Sequence, residues 1–133
     1  MTGLDTNVLL RFLIADDPDQ AEAVKRVVGD ARERDEHFFV TTIVLCELIW
    51  TLRGKPYALK RESLANLLSR LLDDGLFEIQ DRGLVQQAIR DYRQGRGDFA
   101  DYLVGWKNRE AGCRQTLTFD GKLRTHENFF RLS

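Results

Sequence analysis

Short apolar runs along this chain alternate with longer stretches in which apolar residues recur every three or four positions. "TGL" reads as a short buried strand ending at Asp5, and "TNVLLRFLI" follows as a helix that Asp5 or Thr6 can cap. "DPDQAEAVKRVVGDARER" places Pro just inside a helix start, with apolar spacing at Ala21, Val24, Val27, Val28 and Ala31. "HFFVT" has the composition of a strand. "TIVLCELIWTLRG" predicts an apolar helix ended by Gly54. "LKRESLANLLSRLLDDG" predicts an amphipathic one, with Leu64, Leu67, Leu68, Leu71 and Leu72 on one side and Gly75 at its end. The remainder reads as the strand "LFEIQ", the helix "DRGLVQQAIRDYRQG", a helix opening within "GRGDFADYLVGW", the strand "QTLTF", a short helix after Asp120 and a last strand in "FFRLS".

Strands that alternate with helices predict an α/β fold around a mostly parallel sheet, because parallel neighbours need a crossover connection. Periodicity does not set the strand order. There is no internal repeat or linker, and the two prolines, Pro18 and Pro56, fall where helices break. One domain over residues 1–133 is expected from the length, with 43% hydrophobic and 31% charged residues to build it. No apolar run approaches the ~20 residues of a membrane helix. The N-terminus lacks a basic start and meets Asp5 early, unlike a signal peptide, so a cytoplasmic location is expected.

Cys46 and Cys113 lie far apart in no CxxC pattern and read as reduced structural thiols. With only two histidines, His37 and His126, a zinc site is hard to build, and both read as structural or solvated. The net charge of −1 gives no global reason for nucleic-acid binding. Local basic pairs remain at Arg53 and Lys55, Lys60 and Arg61, Lys107 and Arg109, and Lys122 and Arg124. A compact acidic centre can cancel such a rim in the total.

The carboxylates each have a plain reading. Asp5 and Asp120 follow strands and suit a helix cap and a turn. Asp98 and Asp101 suit a cap and its first turn. Glu47 is different: it is the only charged residue in "TTIVLCELIWTL", with Ile43, Val44, Trp50 and Thr51 three and four positions away. An ionised carboxylate on an apolar face is costly unless an arginine or a metal ion answers it. Ligands of open α/β sheets bind beyond the carboxyl ends of the strands, so all five acids can converge there. Gathered carboxylates repel unless a divalent cation compensates, and oxygen-only ligands suit Mg²⁺ or Mn²⁺. That is the constellation of a metal-dependent phosphoester enzyme.

"GLDTNVLLRFL", "VLCELIWTL", "GDFADYLVG" and "TLTFDGKL" resemble, in order and spacing, the four acidic motifs of PIN-domain ribonucleases. The chain is most similar to the VapC toxins of prokaryotic toxin–antitoxin pairs. The resemblance implies Asp5, Glu47, Asp101 and Asp120 as the acidic site, with Asp98 the second aspartate that many such toxins carry. It makes Thr6 and Asn7 supports for Asp5, and Thr118 the polar residue before the last aspartate. It further implies a three-layer α/β/α fold with a five-stranded parallel sheet, Mg²⁺-dependent RNA cleavage, homodimers, and a VapB-like antitoxin that inserts a segment into the active-site groove. The final "GKLRTHENFFRLS" carries no family motif.

On this reading Asp5, with Asp98 or Asp101, binds a primary metal ion, while Glu47 and Asp120 hold a second ion or orient water. Arg53, Lys55 and Arg109 supply phosphate affinity. Trp50, Tyr57 and Trp106 are candidates for partner contacts or for ordinary core packing. Three alternatives stand beside it. A catalytically silent PIN-like module for RNA or protein should lack one of the acids, and all are present. A PIN nuclease of RNA maturation is a second, which the small size disfavours. A haloacid-dehalogenase-type phosphatase needs a second aspartate at position 7, where the chain has Asn7.

Overall fold

Each predicted helix forms in the computed structural model, which describes Met1–Ser133, and local chemistry sets several of the starts. Asp5 accepts the Val8 N–H at 3.0 Å and opens α1 (Thr6–Leu13). Asp17 accepts from Gln20 N–H at 3.1 Å, with Pro18 in the first turn of α2 (Pro18–Glu33). The Thr41 hydroxyl accepts from Val44 N–H at 3.2 Å and opens α3 (Thr42–Arg53), which Gly54 ends. Each such cap contributes ~1 kcal/mol. The remaining helices are α4 (Arg61–Asp73), α5 (Arg82–Gln94) and α6 (Phe99–Glu110).

The five expected strands are present and every pairing is parallel, as an α/β fold with helical crossovers requires. They are β1 (Thr2–Gly3), β2 (Phe38–Val40), β3 (Phe77–Ile79), β4 (Thr116–Thr118) and β5 (Phe129–Arg131). Their hydrogen bonds divide them into two ladders, β1-β2-β3 and β4-β5. Phe39 of β2 registers with Gly3 on one side and Glu78 on the other, and Leu117 of β4 with Phe130 of β5. Only β2 pairs with β1, whose two residues are exposed rather than buried as "TGL" suggests.

The leucines expected inward on α4 are all buried. They join Leu45, Leu48, Ile49 and Leu52 of α3, Val85 and Ala88 of α5, and Phe99 and Leu103 of α6 in one core. The apolar spacing of α2 has a different outcome. Only Ala31 of that helix is buried, and Val27 is 51% exposed. A wholly apolar cleft remains between this helix, α1 and the sheet, bordered by Val24, Val27, Phe12 and Phe77. No helix is long and apolar enough to cross a membrane. Both cysteines are free, and the structural-thiol reading fits only Cys46, because Cys113 is exposed just beyond α6.

Candidate active site

Asp5 is exposed where β1 turns into α1, its carboxylate held by the cap bond to Val8. The next residue ties this corner to α3, since the Thr6 hydroxyl donates to Glu47 Oε1 at 2.9 Å. Glu47 itself is exposed, which corrects the expectation of a carboxylate sealed on an apolar face. Its neighbours Ile43 and Trp50 are 70% and 50% exposed, because this side of α3 points away from the core. No buried ion pair is needed there. Asn7 is exposed one residue beyond Thr6.

The other three acids form a second group. Asp98 precedes α6, and its N–H donates to Asp101 Oδ2 at 3.3 Å, one arm of a capping box. Arg53, at the end of α3, forms an ion pair with Asp98. Asp120 follows β4: the Thr118 hydroxyl accepts its backbone N–H at 3.0 Å, and its carboxylate accepts from Lys122 N–H at 2.9 Å. Thr118 thus anchors the aspartate it precedes. Burial pushes the Asp101 carboxyl above its ordinary range, and the charges of Asp98 and Asp120 push the same way. The Asp98 N–H and Lys122 oppose this rise.

Helix α3 joins the two groups. It carries Glu47 toward Thr6 and Arg53 toward Asp98, and its Cys46 lines one cleft with Asp101 and Lys107 of α6. Exposed Ile43, Trp50 and Val104 border that cleft. No three Asp, Glu, His or Cys side chains stand close enough together to cage an ion as they are arranged. The donor chemistry nonetheless suits a hard divalent cation. The acids offer oxygen alone, and Asp101 stands beside two like charges that a cation would offset.

Of the predicted basic residues, Arg53 is at the site, and Lys55 is exposed just after α3. Arg109 is engaged elsewhere, donating to Asn128 Oδ1 at 3.1 Å and lying over Trp106. Lys122, noted in the sequence only as part of a basic pair, is the cation beside Asp120 and Asp101. Tyr57 donates to Asp16 at 2.7 Å and Trp106 to Asp91 at 2.6 Å, whereas Trp50 stays half exposed. Of the two readings of His126, structural or solvated, the structure takes the first: it pairs with Asp91 at 2.8 Å. A separation of 35 positions leaves no periodic signal in the sequence.

Two comparisons bear on this arrangement. The PIN domain family matches residues 4–127. The chain is also 27% identical over 124 residues to the VapC ribonuclease of Aquifex aeolicus (strain VF5), covering 93% of this chain and 90% of that protein.

Proposed function

The chain belongs to the PIN-domain family, and from that premise we propose that it is an endoribonuclease of the VapC type, hydrolysing RNA phosphodiester bonds and restrained by a VapB-like antitoxin. One observation carries the reading: the ordered acids Asp5, Glu47, Asp98, Asp101 and Asp120 all fall within the family match, on elements joined through α3. PIN nucleases use divalent metal ions, and we assign Mg²⁺, with Mn²⁺ suited to the same oxygens. Such an ion, when bound, neutralises charge on the phosphoryl oxygens and lowers the pKa of an attacking water.

The chain's own residues prepare for this. Val8 N–H aims the Asp5 carboxylate, the Thr6 hydroxyl restrains Glu47, and the Thr118 hydroxyl fixes the backbone of Asp120. Arg53 holds Asp98 in the ion-free protein; were Asp98 to hold a metal ion, the guanidinium would be available to a phosphate. The exposed Ile43, Trp50 and Val104 give a partner an apolar surface beside Asp101. We take that partner to be the antitoxin segment, and the enzyme to act as a cytoplasmic homodimer.

Cleavage of total RNA by the purified protein, in Mg²⁺ or in EDTA, beside Asp5→Asn and Glu47→Gln, tests the reading. Metal-dependent cutting is expected, with each variant slower by at least about a hundredfold. A folded protein that binds Mg²⁺ but cuts no RNA supports the silent binding module instead. A folded protein that neither binds the ion nor cuts removes the acidic site from consideration.

A further inference from the structure

A second polar cluster lies outside the acidic site, where α5, α6 and the segment after Asp120 meet. The side chains of His126 and Asp91 are only 15% and 19% exposed. Asp91 Oδ2 accepts from Trp106 Nε1 at 2.6 Å and faces His126 Nε2 at 2.8 Å. The other imidazole nitrogen, Nδ1, accepts the backbone N–H of Asn128 at 3.1 Å. A nitrogen that accepts carries no proton, so the network assigns the proton to Nε2, which donates it to Asp91. Tyr102, Trp106 and Phe129 surround the ring, with centroids 5.3, 5.8 and 5.7 Å away.

Two links run from this cluster to the acids. The His126 N–H donates to the Leu123 carbonyl at 3.0 Å, and Leu123, which is buried, closes the single 3-10 turn (Gly121–Leu123) that follows Asp120. Tyr102, tilted against the imidazole, accepts the Gly97 N–H through its hydroxyl at 3.0 Å. A Cβ placed on Gly97 would lie 2.5 Å from Leu123 and 3.1 Å from Tyr102. The strip leading into Asp98 therefore touches the strip leading out of Asp120, and the cluster backs both.

We propose that Asp91, Trp106 and His126 form a clasp that sets Asp120 against Asp98 and Asp101, with His126 a positioning residue that touches no substrate. The effect on RNA cleavage rests on the nuclease reading; the clasp itself does not. Between Asp120 and β5 the only regular structure is that one turn, so this segment depends on its tertiary partners. Loss of His126 leaves Asp91 with a single donor and the Asn128 N–H with no acceptor, and a half-satisfied network is the costly case.

Two variants separate the arms of the clasp. His126→Asn keeps an acceptor where Nδ1 stands but falls short of Asp91. His126→Gln keeps a donor where Nε2 stands but leaves the Asn128 N–H unpaired. Amide hydrogen exchange of the ion-free protein is the first readout. In His126→Asn, exchange at Lys122 and Leu123 is expected to quicken at least about tenfold, with Leu48 and Leu68 at wild-type rates, and His126→Gln to recover most of the protection. Cleavage of RNA in Mg²⁺ is the second. His126→Asn is expected to lower kcat by about tenfold to a hundredfold, the scale of a ~1 Å displacement. Its KM stays within about twofold.

Unchanged exchange at Lys122 and Leu123 overturns the clasp. Acceleration spread evenly over α3 and α4 does so too, because it marks a plain loss of stability. Localised acceleration with wild-type kcat overturns the positioning role. Localised acceleration in a protein whose wild type cuts no RNA leaves the clasp standing and overturns the nuclease reading instead.

Discussion

Asp101 must ionise partly buried and beside Asp98 and Asp120, so its folded pKa lies above the unfolded value. The sign follows from linkage: this group's contribution to stability is fully present below the unfolded pKa and is lost as pH rises through the raised folded value. At neutral pH the ion-free protein therefore carries the cost of a partly buried charge and, beside it, the repulsion from Asp98 and Asp120. Asp101→Asn removes the charge yet can still accept the Asp98 N–H. It is expected to raise the melting temperature of EDTA-treated protein at pH 7, with the advantage shrinking in acid. Added Mg²⁺ should then stabilise the wild type but not the variant. Thermal scans check both, and a lower melting temperature for the variant in EDTA contradicts the account. The two thiols differ just as locally. Burial pushes Cys46 up to about 11, whereas Cys113 is exposed. Iodoacetamide at pH 8 is expected to label Cys113 first and Cys46 at least about a hundredfold more slowly until denaturant is added. Peptide mass mapping reads this, and equal rates would mean that the cleft beside α3 stands open.

At the scale of elements, one substitution has opposite expected effects in two helices. Nothing lies within 4 Å of a Cβ placed on exposed Gly29 of α2. Gly29→Ala is therefore expected to stabilise by about 0.5–1 kcal/mol through backbone entropy. A Cβ on Gly105 of α6 lies 2.8 Å from the Phe129 ring and 3.3 Å from Asn128 Cβ. Gly105→Ala is expected to cost about 1–3 kcal/mol by pressing β5 away from α6. Urea unfolding of both variants checks the signs. The helices were legible in the sequence because their signals are local: Asp5 caps within three residues of itself, Pro18 sits just inside a start, and Gly54 ends α3. The covering of their faces was less so. The leucines of α4 and the valines of α2 share a helical period, yet the first are buried and Val27 is half exposed. Periodicity tells which residues share a face and not whether another element reaches it.

Across the whole molecule, the contacts that build the candidate site join distant parts of the chain. Thr6 meets Glu47 across 41 residues and Arg53 meets Asp98 across 45. The acids could be picked out by type and by resemblance, and Asp98 with Asp101 by spacing as well. What no local pattern gave was Glu47 on an open face, Lys122 beside Asp101, or the grip of Asp91 on His126. The division of five parallel strands into three and two is likewise a property of the assembled fold. The same geometry has a consequence in time. Asp5 is made near the start of the chain and Asp120 more than a hundred residues later, just after a strand that pairs only with the last one. At about 5–20 residues per second, a ribosome leaves the nascent chain without its final acid for roughly ten seconds. On the proposed assignment of Asp120 to the acidic site, a nuclease built this way cannot cut the message it is read from during that interval.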